Sequence, residues 1–309
     1  MATPMRSTDL RNIVAPILNK AFDGVYDQRQ DEYKQVFSEE TGISRSYQEE
    51  PFLYGMSNAQ SMPDGSPVTY DSGGQLFVKR YTFDQYGIAF ALTKVLVEDG
   101  DHIRVGTTFS KHAAQSMTET LETLTANVIN RAFTSGYTGG DGVILCSNAH
   151  LGAQSFTAGD PAVSNLLNTS AVLSQTSLEQ MLIQVRQAAD PRGKKIRLTP
   201  KKLIVSPANM LVAEVLLKSV LRAGTNNNDL NPIKSMGLLS DVVVLSRMTS
   251  NTAWFVQTDV QDGLKVIWRR RVEKSMEGDF ETDSMRYKST MRLATGWTDW
   301  RAVFGTPGT

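Results

Sequence analysis

A long amphipathic stripe constrains the fold of this chain more than any other feature of its sequence. Between Asp101 and Phe133, apolar residues recur at intervals of three and four, the period of one face of an α-helix. The members of this stripe are Phe109, Ala113, Met117, Leu121, Leu124, Val128 and Ile129. A helix of about 25 residues is about 38 Å long at 1.5 Å per residue. We therefore predict a long, half-buried helix that serves as the scaffold of the fold.

Further helices are predicted in the second half of the chain. Thr176 and Glu179 have the spacing of a capping box, and Ser206 followed by Pro207 is typical of a helix start. The inner face of the helix after Pro207 is predicted from its apolar residues, which are Met210, Ala213, Leu217, Val220 and Leu221. The polar run 224–231 is predicted to be an exposed loop.

Strand patterns alternate with these helices. Short strands are predicted at 202–205, 242–245, 253–256 and 264–268. Between Met285 and Leu293, apolar and charged residues alternate with the period of two that marks a half-exposed strand. The pattern predicts an α+β or mixed α/β domain.

The first 98 residues contain an arm and a long excursion. Residues 1–50 are polar, with one modest helical pattern of Ile13, Ile17, Ala21 and Val25, and we interpret them as an extended arm that is either free or ordered by a neighbouring chain. Residues 55–74 concentrate turn-forming residues. The flanking segments 75–83 and 86–97 are rich in strand formers, which predicts a protruding two-stranded loop, although the second could instead continue as helix. Loops of this length are usually functional or disordered.

Composition excludes several classes of protein. The chain has 32 basic and 32 acidic residues, so no global field attracts nucleic acid or an anionic membrane. Its single cysteine, Cys146, excludes an intramolecular disulfide and a cysteine-rich zinc site. We find neither a signal-peptide pattern at the start nor a run of about 20 apolar residues. We therefore expect a protein made and retained in the cytoplasm, without contact with a membrane.

Candidate chemical groups are few. Cys146 and His150 are four residues apart and could meet on a helix as a thiolate and imidazole pair, but the flanking residues favour a small buried thiol and a loop histidine. Arg269, Arg270 and Arg271 form the only basic triplet. The triplet could contact phosphate or pair with the nearby acids Glu273, Glu277 and Asp279. We expect no catalytic residues, no cofactor and no metal site.

We expect a self-assembling structural protein, because the sequence has no recognisable catalytic site and combines an arm, a long loop and a long helix. The order of these segments resembles the Hong Kong 97-type major capsid proteins of tailed bacteriophages. Local sequences are similar to the Mu-type major head subfamily. These are DGVILCSNAH at 141–150, SNLLN at 164–168, TSLEQMLIQVRQAADPRGKKIRLTPKKLIVSPAN at 176–209, NNNDLNPIK at 226–234, NTAWFVQTD at 251–259 and MRLATGWTDWRAVFG at 291–305.

The resemblance implies a division of the chain. Residues 1–50 would be the N-terminal arm and 51–98 the extended loop over a neighbouring subunit. Residues 99–145 and 263–309 would form the peripheral domain, with its spine helix, and 146–262 the inserted axial α/β domain. Contacts between subunits are expected from loop residues and the basic triplet: Phe52, Leu53, Tyr54, Leu76, Phe77, Lys79, Arg80, Tyr81, Arg269, Arg270 and Arg271.

The resemblance also implies partners. Hexamers and pentamers would close into an icosahedral head around double-stranded DNA, with weak nonspecific DNA contact and a portal protein at one vertex. Because this chain has no long N-terminal extension of the kind that carries a fused scaffold, we expect a separate scaffolding protein; a decoration protein is a further candidate. We expect a noncovalent shell, in the virion, assembled in the host cytoplasm. The alternatives are a cargo-enclosing compartment of the same fold and a cytosolic enzyme using Cys146 and His150.

Overall fold

A computed structural model describes residues 7–28, 31–150, 163–222, 229–279 and 284–308 of the chain. Its helices are α1 (Ser7–Tyr26), α2 (Lys94–Glu98), α3 (His102–Asn130), α4 (Gln175–Gln187), α5 (Met210–Lys218) and α6 (Pro232–Ser235). Its strands are β1 (Ser38–Glu40), β2 (Tyr47–Tyr54), β3 (Gly74–Thr82), β4 (Asp84–Leu92), β5 (Pro200–Val205), β6 (Asp241–Val244), β7 (Trp254–Thr258), β8 (Leu264–Gly278), β9 (Met285–Trp297) and β10 (Val303–Thr306). The architecture is α+β, as predicted.

The strands form three sheets. The first has the order β1-β8-β9-β4, the second the order β10-β7-β5-β6, and the third consists of β2 and β3 alone. The long strands β8 and β9 pair antiparallel and make the backbone of the first sheet. The last strand, β10, pairs with β7 although it lies in the C-terminal segment predicted for the peripheral domain. The C-terminal segment therefore contributes to both larger sheets.

Helix α3 confirms the predicted scaffold helix. It has 29 residues, which corresponds to about 44 Å at 1.5 Å per residue. Of the predicted stripe, Ala113, Met117, Leu121, Val128 and Ile129 are buried. Phe109 is 45% exposed, and its ring lies 5.7 Å from the ring of Phe90 on β4.

Helix α1 corrects the interpretation of the N-terminal segment as an extended arm. Residues Ser7–Tyr26 are helical and pack along α3 of the same chain. Val14, Leu18 and Phe22 are the buried residues, so the buried stripe lies one position after the predicted one. Ile17 of the predicted stripe is 37% exposed. Leu18 is also fixed through its carbonyl oxygen, which accepts a hydrogen bond of 2.7 Å from the Ser110 hydroxyl.

The predicted pairing of the two-stranded loop is wrong. Strand β3 pairs antiparallel with β2, with Phe52 opposite Phe77, whereas β4 pairs with β9 in the first sheet. Both segments are strands, but their partners are set by contacts distant in sequence. Residues 55–73 connect β2 to β3, and all of them are exposed.

The second sheet and its helices confirm the predicted mixed domain in the second half of the chain. A hydrophobic core that includes Leu178, Leu203 and Trp254 lies between this sheet and helices α4 and α5. The predicted inner face of α5 is confirmed in part, because Ala213 is buried and Leu217 packs against this core. Met210 is exposed, and the exposed residues Val220 and Leu221 lie beyond the end of the helix at Lys218. A 3-10 turn at Pro207–Asn209 precedes α5. Of the predicted loop 224–231, residues 224–228 lie outside the described residues.

Candidate functional site

The hairpin of β2 and β3 is held on its own subunit by aromatic packing. The rings of Phe52 and Phe77 stack at 4.8 Å between centroids, and the guanidinium of Arg301 lies 5.1 Å from the Phe52 ring. Phe52 is 7% exposed and Tyr81 is 3% exposed, so both are buried within the subunit. A cation over an aromatic face adds to the packing of the ring. The base of the hairpin is thus part of the folded subunit.

A polar network continues this attachment below the hairpin. The Tyr81 hydroxyl lies 2.6 Å from the Thr298 hydroxyl, which donates to Glu50 at 2.5 Å. Burial raises the pKa of Tyr81 above its usual range, so the phenol stays protonated. The network joins β2 and β3 to the end of β9.

Lys265 completes the network as a buried cation. Its ammonium lies 2.8 Å from Glu40, 2.9 Å from Glu50 and 3.0 Å from Asp262. Burial lowers the pKa of Lys265, but the hydrogen bonds to the three carboxylates outweigh it and raise the pKa above its usual range. Because removing one partner of a buried pair is costly, Lys265 fixes the hairpin base to β8.

The outer part of the hairpin is different, because it exposes apolar side chains. Leu53 is 67% exposed, and Leu76 and Phe77 are half-buried. The connecting residues 55–73 expose four further large apolar side chains: Met56 at 62%, Met62 at 58%, Val68 at 66% and Tyr70 at 97%. Exposed apolar side chains concentrated on one projecting segment mark an interaction surface.

The basic residues of β3 are engaged within the subunit. The ammonium of Lys79 donates to the Thr138 carbonyl oxygen at 2.9 Å and lies 5.3 Å from the Trp297 ring. Burial lowers the pKa of Lys79, and Asp141 opposes that shift. The Arg80 guanidinium lies 4.0 Å from the Tyr47 ring. Tyr54 is half-buried, with the guanidinium of Arg192 5.1 Å from its ring.

The basic triplet on β8 is also paired inside the subunit. Arg269 donates to the carbonyl oxygens of Ser44 and Arg45. Arg270 lies 3.3 Å from Glu273, which confirms one of the predicted pairs. Arg271 pairs with Glu39 at 2.8 Å instead of with the predicted acids. Whether these three residues and the hairpin residues contact other subunits stays a prediction.

A second exposed apolar surface was missed by the sequence reasoning. On α5 and the segments beside it, large apolar side chains face outward: Met210, Leu211, Val212, Val215, Val220, Leu221, Leu230 and Met236. Leu211 is 71% exposed and Met236 is 68% exposed. The signal was present in the sequence, because MLVAEVLLK is apolar nearly all round. A helix of that kind is usually buried on more than one side. We call the surface formed by these eight exposed residues the α5 patch.

The sole cysteine does not form a catalytic pair. Cys146 is 1% exposed in the main core, and burial raises the pKa of its thiol above its usual range. His150 is fully buried and stacks on Trp300 at 4.3 Å, with Nδ1 2.7 Å from Asp141 and Nε2 3.1 Å from Asn165. The imidazole is thus held by structural partners, and the thiol lacks the exposure and low pKa of a nucleophile.

Ion-binding and membrane-spanning features are likewise missing from the described residues. No group of three or more His, Cys, Asp and Glu side chains among them could hold a metal ion. None of the helices in the described ranges combines the length and apolarity needed to cross a membrane.

Solved viral shells share this fold. The capsid of the cyanophage P-SCSP1u aligns with a TM-score of 0.54 at 10% identity, over 89% of this chain and 86% of that chain. The procapsid of bacteriophage JBD30 aligns with a TM-score of 0.53 at 13% identity, over 97% of this chain and 76% of that chain. A virus-like particle from Pyrococcus furiosus aligns with a TM-score of 0.50 at 12% identity, over 94% of this chain and 98% of that chain. The chain therefore has the Hong Kong 97-type fold.

Sequence comparison gives the family. The model of the phage capsid protein family matches residues 77–305, about three quarters of the chain. The chain belongs to this family, and it is a structural subunit that assembles into the capsid shell of a virion. No curated protein matches its sequence. The Mu-type subfamily stays a prediction.

Proposed function

We propose that this subunit forms hexamers and pentamers that close into an icosahedral head around double-stranded DNA. The observation that supports this most is the pair of exposed apolar surfaces, on residues 53–70 and on the α5 patch, in a member of a capsid family. Burying these side chains on neighbouring chains would release the water that now covers them. Each contact is small, so stability comes from the number of neighbours that a closed shell provides.

The proposed division of labour follows the segments of the sequence. Residues 51–98 reach a neighbouring subunit, and the axial domain 146–262 places the α5 patch at the centre of each capsomer. Residues 99–145 and 263–309 form the peripheral domain, and residues 1–50 the N-terminal arm. The balanced charge of the chain suits a wall that tolerates packaged DNA without binding it tightly. A separate scaffolding protein, a portal protein and a decoration protein are the proposed partners, and the host cytoplasm is the place of assembly.

Expression of the full chain alone tests the proposal. Sedimentation velocity with negative-stain imaging of each fraction should give rings or hollow shells. If the chain is monomeric, the measurement is repeated with the scaffolding protein. A chain that stays monomeric in both cases contradicts the proposal.

The proposed shell is noncovalent and has no catalytic role. A denaturing detergent gel of purified particles should then show the 34.1 kDa monomer alone. A ladder of higher masses would contradict it. Substitution of Cys146 by alanine should leave assembly intact.

A cargo-enclosing compartment is the second candidate, because the virus-like particle from Pyrococcus furiosus shares the fold. Particles isolated with genomic DNA and a portal protein support the phage head. Particles that enclose an enzyme support the compartment.

A further inference from the structure

Residues 55–73, the loop that joins β2 to β3, contact a turn of the axial segment in the same chain. The turn is Asp190–Lys194, between α4 and β5. The Arg192 guanidinium lies 2.9 Å from the Asp71 carboxylate and also donates to the Ser57 hydroxyl and the Ser72 carbonyl oxygen. The Lys194 ammonium donates to the Met56 carbonyl oxygen at 2.9 Å. A single cation thus meets both ends of the loop.

The turn presents Arg192 in a fixed position. The Asp190 carboxylate accepts hydrogen bonds of 2.9 Å from the backbone N–H groups of both Arg192 and Lys194. The Lys194 carbonyl oxygen accepts from the Asp190 N–H at 2.8 Å, and Gly193 adopts the positive φ of 77° that the turn needs. The hydrogen bonds within the turn therefore hold Arg192 in the position from which it contacts the loop.

The loop side of the contact is organised around Asp71. Its carboxylate accepts the N–H of Ser57 at 2.5 Å and that of Ser72 at 2.9 Å, which draws the two ends of the loop together. The Ser57 N–H and then the Arg192 guanidinium lower the pKa of Asp71 to about 2. Asp71 stays charged at all physiological pH values, and the loop carries no lysine or arginine between 55 and 73 to compete for it.

We propose that Arg192 and Asp71 form a latch that holds residues 55–73 on their own subunit before assembly and must open before the loop can reach a neighbour. This inference rests on the proposed function. The latch lies at the surface, where charge pairs are weak, screened by salt and readily exchanged. Such a contact can restrain the loop of a free subunit while still yielding to the apolar contacts of a shell.

Spin labels measure the latch directly in the full chain. Because Cys146 is buried, cysteines introduced at Gln60 and at the exposed Gln180 of α4 can be labelled selectively. The pair should give one narrow distance distribution in the free subunit and a broad one after Arg192→Gln. Arg186→Gln, an exposed change on the neighbouring helix, is the matched control and should keep the narrow distribution.

Light scattering then measures the effect on assembly. Arg192→Gln should shorten the lag before shell formation by between about 1.5-fold and fivefold, the range that loss of an exposed charge pair gives, and Arg186→Gln should not. An unchanged distance distribution would overturn the latch. A broad distribution with an equal or longer lag would overturn its role as a restraint. Failure of the unsubstituted chain to form shells both alone and with the scaffolding protein would contradict the proposed function, while the distance measurement still decides the latch.

Discussion

Glu122 lies in the middle of α3 with 3% of its surface exposed. One carboxylate oxygen accepts the Tyr33 N–H at 3.2 Å, and the other has no hydrogen-bond partner among the described residues. Burial raises the pKa of Glu122 to about 7, partly offset by Arg247 and reinforced by Glu32. A carboxyl in this position is neutral in mildly acidic solution and becomes an unfavourable buried charge above neutrality.

We expect Glu122→Gln to change how stability depends on pH. Between pH 4.5 and about 7 the folded chain keeps a proton that the unfolded chain has lost, so the free energy of unfolding falls as pH rises through this window. Glutamine does not ionise, so the free energy of unfolding of the variant should not fall in this window. The difference in unfolding free energy between the variant and the original chain should therefore shift in favour of the variant by about 2–3 kcal/mol between pH 4 and pH 8. Urea unfolding at several pH values measures the difference. Glu214→Gln, a change at a surface position of α5 where the side chain is 41% exposed, is the control, and parallel curves for Glu122→Gln and the original chain would contradict the prediction.

Asn165 joins the two halves of the chain through its buried amide. Its Nδ2 donates to the carbonyl oxygens of Leu145 at 2.7 Å and Val303 at 2.8 Å, and its Oδ1 accepts the Ser147 N–H at 2.8 Å. His150 also donates to the same oxygen. The side chain therefore takes the place of backbone pairing where the helical segment, the axial segment and the C-terminal strand meet.

We expect Asn165→Ala to destabilise the free subunit by about 3–5 kcal/mol, because several buried backbone groups lose their partner together. Chemical denaturation followed by tryptophan fluorescence measures the change, since Trp300 stacks on the neighbouring His150. Asn168→Ala, an exposed change three residues away, should cost less than about 0.5 kcal/mol. Equal stability of the two variants would show that the Asn165 network is not structural.

Helix α1 and helix α3 form the largest helical contact of the subunit. Phe22 is 1% exposed, stacks on Tyr26 at 5.7 Å and lies 5.4 Å from the Lys274 ammonium. An arm that orders only on a neighbour would leave these groups in water in the free chain. The packing of α1 on its own chain therefore predicts that this helix is already folded in the unassembled subunit.

We expect Phe22→Ala to lower the free energy of unfolding of the free subunit by about 3–4 kcal/mol, the usual cost of removing a core aromatic ring. Ile17→Ala, on the exposed side of the same helix, should cost about 1 kcal/mol or less. Differential scanning fluorimetry of dilute, unassembled protein compares the two. If both variants match the original chain, α1 does not pack on α3 before assembly.

Elements with a strong period could be predicted from the sequence, whereas their partners could not. Helix α3 was predicted within a few residues, and β9 alternates as expected, with Tyr287 and Met291 buried. The pairing of β3 depends on contacts such as Phe52 with Phe77, which local propensity does not encode. The start of α4 also differs, because Ser174 and Ser177 form the capping box that Thr176 and Glu179 were predicted to form. The α5 patch was visible in the sequence only as an excess of apolar residues over what one core face needs.

In the proposed shell, the loop that joins β2 to β3 carries contacts between subunits. Residues Tyr54 and Gly74 are paired, so deleting 57–73 leaves Gly55 and Met56 as a two-residue hairpin turn. Glycine at the first position of such a turn is favourable. The deletion therefore removes Met62, Val68 and Tyr70, three of the four exposed large apolar side chains of the loop, without breaking the strand pairing beneath it.

We expect the deletion to give a folded subunit that cannot close shells. Circular dichroism and sedimentation measure the two properties separately. A full-length variant with Met62, Val68 and Tyr70 changed to serine tests whether the apolar groups, and not the length, are required. Normal shells from the deletion would refute the role of the loop.

The position of β10 at the end of the chain has a consequence for how the protein is made. The second sheet has the order β10-β7-β5-β6, so its edge strand is missing until residue 306 has left the ribosome. In the first sheet, β1 pairs with β8, more than 220 residues later. At about 5–20 residues per second, roughly 11–45 s pass between the synthesis of β1 and that of its partner β8. Completion of the fold is therefore postponed until β10 has been synthesised, and until then nascent chains on neighbouring ribosomes of one message carry the same unpaired edges close to one another.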